Sequence, residues 1–162
     1  MKTPVLDHEG KFALLRESPL FSRLARPDLS HIAHQAEYLT IPPGGVLTTV
    51  GGAATFFYLF ISGSVTVGWV GAVDLQPQQL PFAGWAALVE PYRSSTSIVA
   101  FDECKVLRLR SRMLLEMFSH RPDVGYDVMR AVAAEARARL EATVQEVREL
   151  RRLTAAIAPP VI

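Results

Sequence analysis

The sequence predicts an α+β domain: a sandwich or barrel of short strands set between short N-terminal helices and one long C-terminal helix. Three observations predict it. The first thirty-five residues carry apolar groups at helical spacing. From Ala36 to Leu109 the apolar period falls to two and is broken repeatedly by Gly and Pro. Beyond Met129, apolar residues recur in alternating steps of four and three.

Phe12 and Leu15, then Leu20, Phe21 and Leu24, mark the first helical region, and Arg26-Pro27-Asp28 opens a second short helix carrying Leu29 and Ile32. His31 and His34 are three residues apart without an acidic or cysteine partner, so surface or capping roles are expected and a metal site is not. Glu37–Ile41 reads as a strand, Pro42-Pro43-Gly44-Gly45 as a sharp turn, and Val46–Val50 as a strand closed by Gly51-Gly52. Phe56–Ile61 and Val65–Trp69 read as a hairpin turning on Ser62-Gly63-Ser64. A polar stretch, Asp74–Gln79, leads to the loop at 82–96, after which Thr96–Ala100 and Lys105–Leu109 are strands joined at Phe101-Asp102-Glu103. Ser111 is placed as the N-cap of a short helix through Phe118, and Pro122-Asp123 opens a helix that nothing breaks before Pro159. Met129, Ala133, Ala136, Leu140, Thr143, Val147, Leu150, Thr154 and Ile157 form its heptad seam, and Ala158–Ile162 ends it.

The chain has 162 residues, one domain's length, with 17 basic against 16 acidic side chains; a net charge of +1 supplies no general field toward nucleic acid or anionic lipid. A lone cysteine, Cys104, excludes an internal disulfide or a cysteine-held cluster and reads as a small buried strand residue. Charges near the N-terminus leave no apolar core for a secretion signal, and the most apolar region is interrupted by Gly63, Gly68 and Gly71. A soluble cytoplasmic protein with no membrane association is therefore expected. Paired catalytic carboxylates, a Gly-x-Ser-x-Gly elbow, a P-loop and a metal-ligand cluster are all missing from the sequence, so no enzyme activity is expected.

The loop from Phe82 to Thr96 holds parts suited to an anion. Gly84 permits close backbone approach, and Trp85, Ala86 and Ala87 follow as the start of a helical turn with free N–H groups. Arg93 with the hydroxyls of Ser94, Ser95 and Thr96 lies downstream.

In this order of parts the chain resembles the cyclic nucleotide-binding domain of the catabolite activator and oxygen-regulator superfamily, over about Phe12 to Leu153. The resemblance is carried by turn glycines Gly44 and Gly63, the cassette from Gly84 to Thr96, and Arg139-Leu140 in the long helix. It implies a β-roll, a double-stranded β-helix of jelly-roll type, with short N-terminal helices and a long C-terminal dimerisation helix. Residues 1–121 would form the helices and roll, with the phosphate-binding cassette at 82–96, and residues 122–158 the long helix of the same domain. The family pattern resembles Phe-Gly-Glu-x-Ala-Leu followed by Pro-Arg-x-Ala-Thr. Gly84, Ala87, Leu88 and Arg93 fall on it, and Ser94 or Ser95 offers the hydroxyl beside the arginine.

Trp85 stands where the family's ribose-binding glutamate is expected, and Tyr92 where a proline usually precedes the arginine. Gly-Trp-x-x-Leu-x-x-Pro-Tyr-Arg is similar to a bacterial stand-alone subgroup in which the tryptophan belongs to the pattern. Indole donates one N–H and accepts nothing, so a ribose 2′-hydroxyl loses a charged acceptor, about 1.5–3 kcal/mol. Aligned on Arg139-Leu140, Thr143 falls on a threonine that touches the purine in some relatives, and Val144 on a serine. Thr143 is equally compatible with a plain seam position.

Transcription factors of the superfamily continue into a helix-turn-helix domain. The sequence given stops at Ile162, so no direct DNA binding is expected. The expected function is a homodimeric regulatory domain that binds a small anionic ligand, cyclic AMP or cyclic GMP being the candidates, and acts on a protein partner. The alternative is a degenerate domain that binds no ligand and serves as a homodimeric protein-interaction module.

Overall fold

The structure, a computed structural model, describes residues 6–157, so the expected helix end at Ala158–Ile162 lies outside the described residues. The chain falls into two units, one through Val128 and one from Met129. The first unit opens with α1 (His8–Glu17) and α2 (Arg26–Gln35). Asp7 caps α1, its carboxylate accepting from the Gly10 amide at 2.8 Å, and Pro27 in the first turn of α2 suits a position that needs no amide donor.

Eight strands follow among the described residues: β1 (Glu37–Ile41), β2 (Val46–Thr48), β3 (Phe56–Ser62), β4 (Val65–Trp69), β5 (Ala72–Gln78), β6 (Phe82–Ala83), β7 (Ser97–Ala100) and β8 (Cys104–Arg110). They form two antiparallel sheets of order β1-β8-β3-β6 and β2-β7-β4-β5. Tyr58, Ala83, Cys104 and Val106 from the first sheet meet Leu47, Val65, Val67, Ile98 and Ala100 from the second in one inner core. The alternate residues of β3 and β8, Phe57, Leu107 and Leu109, are fully buried on the opposite face, where α2 and the following helix α3 (Ser111–His120) pack on β8. Burial on both faces accounts for the nearly unbroken apolar run of β3. The α+β roll with a long C-terminal helix, α4 (Pro122–Ile157), is thus the fold the sequence predicts.

Three local expectations are corrected. Residues 62–64 do not turn a hairpin: β3 and β4 lie in different sheets, and the chain crosses between them. Gly63 makes the crossing at φ +100, where a Cβ would sit 2.7 Å from both the Cys104 Cα and the Glu103 carbonyl. The polar stretch before the cassette is largely strand: β5 hairpins with β4 through Gly71 and tolerates Pro77 because it is the edge strand. Ser111 is the first residue of α3 and not its cap, because β8 runs straight into the helix and the Ser111 amide already donates to the Thr55 carbonyl at 3.0 Å.

Asp102 fastens the β3–β4 crossing to the β7–β8 crossing. Its carboxylate accepts from the Ser64 amide and the Ser64 hydroxyl, both at 2.7 Å, and these bonds hold it below the usual carboxylate range. A depressed folded-state pKa adds stability above the unfolded carboxylate's pKa and loses it as pH falls through the folded value. Asp102→Asn is therefore expected to melt below the wild type at neutral pH, with the gap closing below about pH 4; a gap that persists in acid would contradict this role. Beside the crossing, the Cys104 thiol is fully buried and pushed up by that burial, with Asp102 adding to the shift, as befits a structural cysteine.

In the second unit α4 carries the i,i+4 ion pairs Arg137–Glu141 and Arg139–Glu135, at 2.8 and 2.9 Å. The seam residues Leu140, Val147 and Leu150 are exposed, as are Val144 and Leu153 beside them. Among the described residues no helix is long and apolar enough to cross a membrane, and no group of three or more His, Cys, Asp or Glu could hold a metal ion.

Candidate ligand-binding cassette

The cassette is carried by the edge of the first sheet. β6 pairs with β3 through Tyr58↔Ala83 and Leu59↔Phe82, delivering the chain to Gly84. Gly84 adopts φ 82, ψ 20, and a Cβ there would stand 2.3 Å from the Phe56 carbonyl oxygen. Both the left-handed backbone and the close approach demand glycine. The chain then enters a short 3-10 helix, Trp85–Leu88, closed by the Ala87 amide donating to the Gly84 carbonyl at 2.9 Å. Ala87 and Leu88 point inward, Ala86 is half-buried, and Trp85 keeps 37% of its surface exposed outside the inner core.

The return strand of the loop is tied to Gly51-Gly52. The Ser94 amide donates to the Gly52 carbonyl at 3.0 Å, the Gly51 amide to the Ser94 carbonyl at 2.8 Å, and the Ala54 amide to the Tyr92 carbonyl at 2.9 Å. Tyr92 reaches this ladder at φ 55, an uncommon setting for a side-chain-bearing residue, with its amide on the Val89 carbonyl. Arg93 is exposed and donates one bond, Nη1 to the Gly51 carbonyl at 2.9 Å, leaving most of its five N–H groups available. Ser94 is only 7% exposed, its amide and carbonyl are both bonded, and among the described residues no buried side-chain oxygen lacks a partner. Ser95 is exposed. An open cleft of about 530 Å³ runs between the cassette, at Ala87 and Tyr92, and α3, at Ser111, Arg112, Leu115 and Glu116.

Gly84, Trp85, Ala86 and Ala87 thus follow β6, Arg93 and Ser94 lie on the return segment against Gly51-Gly52 with Ser95 next in sequence, Ala87 and Tyr92 line one cleft, and Thr143 lies in the second unit, exposed on α4. Sequence reasoning passed over Gly51-Gly52 as a strand end; the signal available was a Gly-Gly pair, which leaves backbone uncovered for pairing.

It also passed over a charged and aromatic row on the inner face of the first sheet. Cross-strand register places Glu37 opposite Arg108, Arg108 opposite Tyr58, and Arg110 opposite Phe56. Arg108 donates from Nε to the Glu37 carboxylate at 3.1 Å and closes an ion pair to it through Nη2. The guanidinium carbons of Arg108 and Arg110 stand 4.4 and 5.4 Å from the Phe56 ring centre. Burial raises the Tyr58 phenol above its ordinary value, and the charge of Arg108 partly offsets the rise.

No family model matches the chain. Among curated proteins it is 27% identical over 131 residues to a cyclic nucleotide-gated potassium channel of Mesorhizobium japonicum, covering 81% of this chain but 36% of the channel. The chain thus spans about a third of that relative's length. Among solved structures, a candidate cyclic nucleotide-binding protein from Geobacter metallireducens is 26% identical at TM-score 0.70, with 78% of this chain and 95% of that one covered. The N-terminal domain of a Streptomyces coelicolor transcriptional regulator is 25% identical at TM-score 0.60, with 80% and 93% covered. A cyclic nucleotide-binding domain from Methylobacillus flagellatus shares the fold at TM-score 0.69 and 16% identity, with 95% and 86% covered.

In fold this chain is similar to cyclic nucleotide-binding domains.

Proposed function

We propose that this domain binds an anionic nucleotide, cyclic AMP or cyclic GMP, in the cassette and passes the signal to a protein partner as a homodimer. The observation that carries the reading is Arg93. Its exposed guanidinium spends one N–H on the Gly51 carbonyl, and the hydroxyls of Ser94 and Ser95 follow it in a loop whose glycines lay bare the backbone. Arg93 supplies the charge, Ser94 and Ser95 the hydroxyls, and the turn at Gly84–Ala86 the backbone amides. Trp85, exposed and lacking an acceptor, leaves the ribose without a carboxylate from its position. Equilibrium dialysis with labelled cyclic AMP and cyclic GMP tests the proposal: saturable uptake supports it, and none at millimolar concentration overturns it.

A second reading, an interaction module that binds no ligand, draws on the Arg93–Gly51 bond, since the arginine already has one internal acceptor. That single bond uses one of five donors, so the first reading accounts for more of the site.

The dimer is assigned to α4. Leu140, Val144, Val147 and Leu150 leave an apolar stripe exposed on a helix otherwise laced with charge. In a parallel pair Glu146 and Arg151 fall at facing g and e positions, so a second copy of the helix suits both stripe and flanks. Leu140→Asp with Val147→Asp is expected to yield monomer in light scattering, and a persistent dimer would place the interface elsewhere.

A further inference from the structure

Met113 and Met117 stand one turn apart on α3, and so do Arg112 and Glu116, so an apolar row and a charged row run side by side along this helix. α2 and α3 both pack on β8, and an open cleft of about 600 Å³ runs between the two helices. Half-buried Met113 and Met117 line it. Arg110, the last residue of β8, and Arg112, the second of α3, border it as well.

The charges of the cleft do not cancel. Asp28 is answered by Arg121, whose Nη1 donates to it at 2.8 Å, while Nε and Nη2 of the same guanidinium hold Asp123. Glu116 is then the remaining acid of the lining, against two arginines. Arg112 is exposed, and among the described residues no ion pair or hydrogen bond holds its side chain. Arg110 has a side chain 68% exposed and reaches Glu37 only at 3.8 Å, a carboxylate that Arg108 already holds. The Phe56 ring supports the Arg110 guanidinium from 5.4 Å. Two arginine forks thus remain open to an acceptor from outside, beside an apolar floor.

We infer that this cleft docks an acidic and aliphatic segment of a partner protein. The inference rests on the proposal that the domain acts on a protein partner, gives that partner a place and a chemistry, and does not depend on the ligand of the cassette. Carboxylates of the segment pair with Arg112 and Arg110, whose planar forks take a carboxylate through two parallel N–H bonds. Its aliphatic side chains lie on the methionines, whose unbranched chains adapt to the apolar shape offered. A small ligand fits less well, because ligand pockets enclose most of their occupant and this cleft is open, with Arg110, Arg112 and Glu116 exposed on it. Nucleic acid fits less well too. Its affinity grows with the number of phosphates met, and the cleft has two free forks on a chain of net charge +1.

Fluorescence anisotropy of a labelled peptide of glutamate and leucine, titrated with the whole domain, tests the inference. Saturable binding is expected, and it should be lost when glutamine replaces the glutamates or serine the leucines. Arg110→Ala and Arg112→Ala are each expected to weaken binding about threefold to tenfold, and Arg112→Glu further. Both side chains are exposed, so the melting curves of these variants should overlay that of the wild type. Arg16→Ala, exposed on α1 outside the cleft, should bind as the wild type does. No binding, binding that ignores either peptide exchange, or affinity within a factor of two in both alanine variants would overturn the inference. A fall in Arg16→Ala as large as in Arg112→Ala would do the same. So would displacement of the peptide by an equal concentration of inorganic pyrophosphate, which would make the cleft a phosphate site. Loss of a dimer in Arg112→Glu with peptide binding intact would overturn it by making the cleft an interface between copies of this chain. None of these outcomes bears on uptake of cyclic nucleotides, so the cassette reading stands or falls separately.

Discussion

Arg93→Ala is expected to abolish nucleotide binding while the domain stays folded. The guanidinium is exposed, and its one internal bond, to the Gly51 carbonyl, contributes about 0.5–1.5 kcal/mol at most. The backbone around it keeps its ties, since the Ser94 and Gly51 amides and the Ala53↔Arg93 bridge do not depend on the side chain. A phosphate loses much more. Each charge-assisted bond is worth about 1.5–3 kcal/mol, and a forked arginine makes two, so affinity should fall by roughly a hundredfold or more. Calorimetric titration beside a melting curve checks both halves. Affinity retained within a factor of two would remove Arg93 from the site, and a collapsed melting transition would make it a structural residue.

Gly84→Ala is expected to damage fold and site together. The new methyl meets the Phe56 carbonyl at 2.3 Å, backbone that belongs to the central part of the first sheet and cannot turn away as a flexible side chain can. The residue must also hold φ 82, which alanine adopts only under strain. Strain and clash together should cost about 2 kcal/mol or more, a fall in melting midpoint of roughly 4–8 °C for a domain this size. Relief by peeling β6 from β3 would displace the turn that follows, so binding should weaken beyond what stability loss explains. An unchanged midpoint with full binding would show that the cassette needs no glycine there.

The elements of this fold were legible in the sequence, and their partition between sheets was not. Period-two runs located β1, β4, β7 and β8, an unbroken apolar run located β3, and the four-three seam located α4, because each pattern depends on local geometry. At Ser62-Gly63-Ser64 the same residues serve a tight hairpin or a crossing between sheets, and the choice is made by the contact of Gly63 with Glu103 and Cys104, forty residues on. β5 was hidden by its polar side chains and Pro77, both of which an edge strand accepts.

Of the candidate site, the cassette was readable because its parts are contiguous, from Gly84 to Ser95. The inner row was not, because Glu37, Tyr58 and Arg108 meet only through register. One signal did exist. Arg108 and Arg110 continue the inward phase set by Cys104 and Val106, and charges on the buried phase of a strand call for a partner.

The central claim, that the cassette holds an anionic nucleotide, is tested most directly by thermal shift of the wild-type domain against cyclic AMP, cyclic GMP and linear nucleotides at millimolar concentration. A ligand bound only by the folded state raises the melting midpoint in a concentration-dependent way. The expected result is a saturable rise with at least one cyclic nucleotide, lost in Arg93→Ala. No rise with any member of the panel would contradict the claim and leave the domain as an interaction module.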